Sequence, residues 1–236
     1  MKPFQFKEFS VAQDKTAMKI GTDAVLLGAW ARIDETVFSI LDIGAGTGVL
    51  SLQMAQRSDA ELIDAVEIEE NAYEQCVSNF ELSDWGDRLF CYHASLEEFV
   101  EEIEEPYDLI ISNPPFYTST FKDLEENRAM ARHAASLPFE ELLESCAAML
   151  SEKGECAFII PYEQEVNFLE IGKKHGLFPK RITRVKGREE VAVKRSLLQL
   201  SFESCEVKIS KLTIEIERHV YTSEYIELVA PFYLKM

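Results

Sequence analysis

Leu41-Asp42-Ile43-Gly44-Ala45-Gly46-Thr47-Gly48 is the stretch on which the fold turns. It extends an apolar run, Val37-Phe38-Ser39-Ile40, and Val49 to Gln56 carry on from it with helical spacing. A buried strand, a turn of small residues and a helix in that order make the first half of a βαβ unit. Small residues let the backbone approach a ligand closely, and the helix behind them aims free N–H groups at it.

The spacing is G-x-G-x-G, whereas a dinucleotide fold would show G-x-G-x-x-G. Asp42 stands just before the turn, where a carboxylate would repel a pyrophosphate but suit a ligand carrying an ammonium and a sulfonium. Glu67 ends the next apolar run, the position from which a carboxylate grips two ribose hydroxyls. Together these residues favour S-adenosylmethionine over a nicotinamide dinucleotide. Gly44, Ala45, Gly46, Thr47 and Gly48 are then expected to line the cofactor with Asp42 and Glu67.

Outward from the turn, strands and helices alternate. Strands are expected at 37–43, 62–67, 88–93, 107–111, 155–160, 179–186 and 196–202. Helices are expected near 70–80, 95–105, 137–150 and 163–175. Such alternation implies a parallel sheet with right-handed crossovers and helices on both faces. No helical pattern separates the last two strands, so the seventh is expected to run antiparallel. The chain reads as one domain, 1–236. An N-terminal extension, 1–36, lies over the cofactor and substrate site, 37–205 is the catalytic core, and 206–236 is a C-terminal extension. Ahead of the first strand, Thr22 or Asp23 either caps a short apolar helix from Ala24 or sits at a ligand's edge.

Composition narrows the class. With 236 residues, 47% of them hydrophobic, the chain can bury a sizeable core. A formal charge of −18 argues against a nucleic-acid coat protein and against a membrane surface. No apolar run reaches ~18 residues, and the N-terminus lacks the apolar core of a signal peptide. Cys76, Cys91, Cys146, Cys156 and Cys205 never form a C-x-x-C pair. They read as buried apolar residues in a reducing, cytoplasmic compartment, with no metal site.

The strand Tyr107-Asp108-Leu109-Ile110-Ile111 runs into Ser112-Asn113-Pro114-Pro115-Phe116-Tyr117. Two prolines fix φ and push the residues before them out of the α region, so the strand must stop in a rigid turn. Rigid acceptors beside an aromatic pair suit a planar substrate bearing an NH2 group. His93-Ala94-Ser95 follows the third strand, and Ser95 to Glu98 has the spacing of a capping box. A backbone amide of Ala94 or Ser95 remains available to the cofactor's adenine.

The glycine turn and Asn113-Pro114-Pro115-Phe116 together resemble the class I S-adenosylmethionine-dependent methyltransferases that act on amines. Within that group the chain is similar to the bacterial tRNA(Val) adenine-37 N6-methyltransferases. The likeness includes Met18 to Trp30, Tyr221 to Tyr225 and the ending Phe232-Tyr233-Leu234. It implies a Rossmann-like sheet, adenosine 37 of tRNA(Val) as acceptor, and Thr22 and Asp23 beside the cofactor. Relatives commonly carry an acid where Ala94-Ser95 stands here.

The resemblance also implies roles. Asn113 and Pro114 accept the two amine hydrogens, Pro115 stiffens the turn, and Phe116 stacks on the base, with Tyr117 in the same pocket. Lys122, Arg128, Arg132 and His133 are expected to meet the RNA. The bases of 173–195 (Lys173, Lys174, Lys180, Arg181, Arg184, Lys186, Arg188, Lys194 and Arg195) outnumber Glu189 and Glu190, and form either a second phosphate surface or a solvated face of alternating charge. A monomer with tRNA as partner is expected, and a DNA methyltransferase's target-recognition domain has no room. Methylation of a protein glutamine amide, or a non-catalytic RNA-binding module, are the alternatives.

Overall fold

In the computed structural model, which describes residues 2–16, 19–115 and 137–235, the glycine turn joins strand β3 (Ser39–Ile43) to helix α2 (Val49–Arg57). Ahead of it come β1 (Phe4–Gln5), β2 (Ser10–Val11) and α1 (Thr22–Trp30). After it come β4 (Leu62–Glu67), α3 (Glu70–Glu81), β5 (Leu89–His93), α4 (Leu96–Glu102) and β6 (Tyr107–Ser112). The second half holds α5 (Phe139–Met149), β7 (Leu150–Pro161), α6 (Glu165–Lys174), β8 (Phe178–Lys186) and β9 (Arg195–Ser201). It closes with β10 (Lys208–Thr213), the hairpin β11 (Glu215–Glu217) and β12 (Val220–Tyr221), and α7 (Ser223–Val229).

The main sheet has the order β10-β8-β9-β7-β6-β3-β4-β5. Every neighbouring pair is parallel except those of β9, which runs against both β7 and β8. The reversed strand is therefore the expected one, but the sheet has eight strands rather than seven. The additional strand, β10, comes from the C-terminal extension and pairs with β8 at the sheet's rim. Its sequence, Lys208-Ile209-Ser210-Lys211-Leu212-Thr213, buries only Leu212. A charged, one-sided edge strand hides its period and resists pairing with another chain.

Side chains alternate across the sheet, as the two-residue strand period requires. Ile40, Leu109 and Ile111 enter a core with α1, α2, α3 and α7. Leu41, Ile43 and Ile110 enter a second core with α4, α5 and α6. Each fully buried Val, Leu, Ile or Phe contributes roughly 1.5–3 kcal/mol. The two ends of the chain meet on the first core. Phe6 bridges to Tyr233, and the Lys7 amide donates to the Phe232 carbonyl at 2.8 Å.

The topology decides where a ligand can sit. From β3 the chain proceeds to β4 and β5 on one side, then crosses to β6 on the other. The carboxyl ends of β3 and β6 therefore flank the switch point, the usual binding crevice of an open α/β sheet. Asp42 pairs with Ile111 in that register, which sets the glycine turn beside Asn113.

Candidate active site

Gly44, Gly46 and Gly48 have φ of 72°, 57° and 77°, the left-handed region that favours glycine. Their surroundings differ. A Cβ on Gly44 or Gly46 would meet nothing within 4 Å, so open space lies over both. A Cβ on Gly48 would stand 2.5 Å from Phe80 Cε1 and 2.8 Å from Cys76 Sγ. The first two keep a ligand's approach clear, and the third lets α3 pack under the turn. Thr47 is buried, and its carbonyl accepts from Asn79 Nδ2 at 2.9 Å. Asn79 also bonds both backbone groups of Ala12, which straps the N-terminal segment to the same helix.

The turn is braced from β4. The Gly44 and Ala45 amides donate to the Val66 carbonyl at 2.9 and 3.1 Å. The Gly46 amide donates to Glu67 Oε2 at 2.7 Å, and the Glu69 amide to Glu67 Oε1 at 2.9 Å. Glu67 is thus oriented by two backbone amides before any ligand arrives. Each of its oxygens keeps lone-pair capacity for a hydroxyl.

Asp42 is wholly buried. Its Oδ2 accepts from the Ser51 amide at 3.1 Å and the Ser51 hydroxyl at 2.7 Å, while Oδ1 has no hydrogen-bond partner among the described residues. Burial pushes the carboxyl up to about 7; the Ser51 hydrogen bonds pull it partly back and the charge on Glu67 adds to the rise. Ser51 lies inside an amphipathic helix and the sequence does not single it out. Its signal would have been a polar residue on the face that α2 buries.

Asn113 ends β6 in the same way. Its Oδ1 is buried and has no hydrogen-bond partner among the described residues. The strand beneath is pinned by Ser112, whose hydroxyl donates to the Ile43 carbonyl of β3 at 2.8 Å. Pro114 is buried and Pro115 half-buried. Phe116, Tyr117, Lys122, Arg128, Arg132 and His133 lie outside the described residues.

Other expectations change. Gly21 is the N-cap of α1, without a side-chain cap, so Thr22 and Asp23 occupy the first helical turn and neither is a cap. Asp23 instead pairs with Arg195 Nε at 2.7 Å, which ties α1 to the start of β9. Ser95 does form the capping box with Glu98. Its own amide donates to Glu98 Oε2 at 2.9 Å, which engages one of the two amides expected to serve adenine and leaves that of Ala94. Beside it, His93 stacks on Tyr73 and its Nε2 lies 3.2 Å from the Ile68 carbonyl.

The basic stretch 173–195 is mostly taken up by the fold. Lys174 pairs with Glu140, Lys180 with Glu155 and Glu203, Arg184 with Glu165, Lys186 with Glu189, and Arg188 with Glu215. Arg181 lies 3.7 Å over the Trp30 ring and donates to the Trp30 carbonyl. Most of its positive charge therefore already faces carboxylates of this chain.

The chain is similar to known proteins. Residues 20–171 match the family described as "Methyltransferase small domain". Over 236 residues the chain is 59% identical to the tRNA1(Val) (adenine(37)-N6)-methyltransferase of Christiangramia forsetii, covering 99% of this chain and 98% of that one. The protein of the same name from Flavobacterium johnsoniae is 58% identical, covering 99% of this chain and all of its own. The chain belongs to the tRNA1(Val) (adenine(37)-N6)-methyltransferase family. Membership makes it a methyltransferase, and distant solved structures agree on the fold. A predicted O-methyltransferase from Agrobacterium tumefaciens superposes with a TM-score of 0.68 at 20% identity, over 89% of this chain and 96% of that one. In a methyltransferase of this family the bare acceptors have a chemical reading. Asp42 Oδ1, under the open glycine turn, suits a cationic group of the methyl donor. Asn113 Oδ1, across the switch point, suits an NH2 group.

Proposed function

We infer that the protein methylates the exocyclic amine of adenosine 37 in tRNA(Val), with S-adenosylmethionine as donor. The observation that carries this is Asn113 Oδ1: a buried acceptor without a partner among the described residues, on a proline-stiffened turn at the switch point. A buried polar atom left bare costs stability, so it is kept for a ligand's donor. The names of the relatives supply the nucleotide and the tRNA.

On this reading Asp42, Gly44, Gly46 and Glu67 hold the cofactor, with Ala45, Thr47 and Gly48 shaping the turn and the Ala94 amide near its adenine. Thr22, Asp23 and Ser95 act at the rim of that site through backbone placement. S-adenosylmethionine supplies an electrophilic methyl group bonded to a sulfonium. The chain's own residues act on the acceptor. An aryl amine is a poor nucleophile because its lone pair is delocalised into the ring. Asn113 Oδ1 accepts one amine hydrogen and the Pro114 carbonyl the other, which turns the nitrogen lone pair out of conjugation. As positive charge develops on nitrogen, the two fixed acceptors stabilise it without reorganising. The methylated amine then releases a proton to water, so no strong base is needed. The target base must leave its stack, which an RNA loop permits more readily than a duplex. Phe116 and Tyr117 complete the base pocket, and Lys122, Arg128, Arg132 and His133 the RNA contact.

We propose further that the enzyme works in the cytoplasm, as a monomer, on tRNA and not on DNA. None of the helices among the described residues is long and apolar enough to cross a membrane. The test is incubation with unmodified bulk tRNA and a labelled methyl donor, then nucleoside analysis by mass spectrometry. Label in N6-methyladenosine of the valine tRNA anticodon loop is expected. Label on guanosine, cytidine or protein would overturn the reading.

A further inference from the structure

We propose that Tyr162 is a stacking platform for a nucleotide flanking the target adenosine. This rests on RNA as substrate and adds a contact that the reaction itself does not require.

The argument starts from strand length. Ser112 at the end of β6 pairs with Phe158, but β7 runs on to Pro161. Tyr162 therefore emerges beyond the carboxyl end of β6, on the edge of the sheet that holds the switch point. Its position is tied down, because the Tyr162 amide donates to the Lys194 carbonyl at 3.1 Å. Tyr162 is 38% exposed, so solvent and a ligand can reach it.

The ring is also held. The Arg184 guanidinium lies over one face of it, 5.5 Å from the ring centroid. Arg184 is fixed in turn by Glu165, with Nε 3.2 Å from both carboxylate oxygens and Nη2 2.7 Å from Oε1. Glu165 is only 4% exposed, and the Ser196 hydroxyl donates to its Oε2. The guanidinium's charge is matched by Glu165, so Arg184 serves to orient the ring more than to attract phosphate. A ring ordered in advance loses little freedom when a base settles on it.

The chemistry supplies a need for such a surface. Extruding the target base exposes one face of each neighbouring base. An aromatic face beside the crevice can re-cover one of them, whatever its identity, since every base has a π-face. The ligand class is thus a single-stranded RNA nucleotide next to the methylated one.

The experiment compares wild type, Tyr162→Phe and Tyr162→Ala on an anticodon stem–loop RNA bearing the target adenosine. Tyr162→Ala is expected to raise KM for RNA about 10-fold, as loss of one base–aromatic stack predicts, with kcat and S-adenosylmethionine affinity within about two-fold of wild type. Tyr162→Phe should match wild type. In stem–loops carrying 2-aminopurine on either side of the target, one of the two probes should stay quenched on wild type and brighten on Tyr162→Ala. An unchanged KM and unchanged fluorescence in Tyr162→Ala would overturn the platform, as would equal damage from Tyr162→Phe. RNA that binds with the quenched signal but gains no methyl on adenosine overturns the substrate reading and leaves the platform standing.

Discussion

Asp42 and Glu165 are both carboxylates sunk in this protein, and their surroundings are opposite. Glu165, where α6 packs on β8, has both oxygens engaged, by Arg184 and Ser196. Asp42, where β3 meets the glycine turn, has Ser51 on one oxygen and nothing on the other. The first is a finished structural pair. The second is unfinished, and across the switch point Asn113 repeats the pattern. Gln53, Gln56, Asp64 and Arg181 also carry a buried polar atom with no partner among the described residues, so a bare atom alone marks no site; what sets Asp42 and Asn113 apart is that theirs flank the switch point, where another molecule can complete the set.

Breaking the unfinished site should therefore help stability and end function. An acid raised by burial binds its proton more readily when folded, so the wild-type protein loses stability as pH rises from about 4 to about 7. Asp42→Asn removes that loss and still accepts from Ser51. Urea denaturation at pH 8 should show the variant more stable by up to about 4 kcal/mol, with the gain gone near pH 4. Calorimetry should show S-adenosylmethionine binding abolished. A variant that is destabilised at pH 8 would break the contrast. Asn113→Ala should lower kcat ~10²–10³-fold while leaving cofactor affinity and melting temperature intact; single-turnover methylation and calorimetry check both.

Breaking the finished pair should do the reverse. Glu165→Gln leaves Arg184 without its counter-charge. Arg184 is partly solvent-exposed, so the cost is nearer 2 kcal/mol than the larger values of fully buried pairs, and catalysis on saturating RNA should persist. The smallest effect belongs to Ser51→Ala. It removes one hydrogen bond to Oδ2, about 1 kcal/mol, and should move the Asp42 transition in the pH–stability profile upward. A transition that stays in place would show that Ser51 does not orient this carboxylate.

Several features were legible before any coordinates. The glycine turn and the Asn-Pro-Pro stop are local, because φ restrictions and strand periodicity act within a few residues. The capping box at Ser95 was legible for the same reason. Misreadings arose where a residue's partner is distant in the chain. Asp23 has the composition of a cap, yet Gly21 caps the helix and Arg195 takes the carboxylate. The bases of 173–195 read either as a phosphate surface or as a solvated face of alternating charge, and the carboxylates that pair with them, Glu140, Glu155, Glu165, Glu203 and Glu215, reach them only in the folded chain. β10 escaped notice because an edge strand needs little apolar burial.

The βαβ frame, the rigid Asn-Pro-Pro stop and the family were all written in the amino-acid sequence. Short-range sterics and the two periodicities encode those directly. The tertiary structure alone decided which of the chain's charges are neutralised and which acceptors are left bare. Pairing and desolvation depend on residues brought together from distant parts of the chain, and no local pattern records them. Gly44, Gly46 and Gly48 show the division within one motif: their spacing foretold a turn, but only packing against Phe80 and Cys76 separated the glycine that serves the fold from the two that face open space.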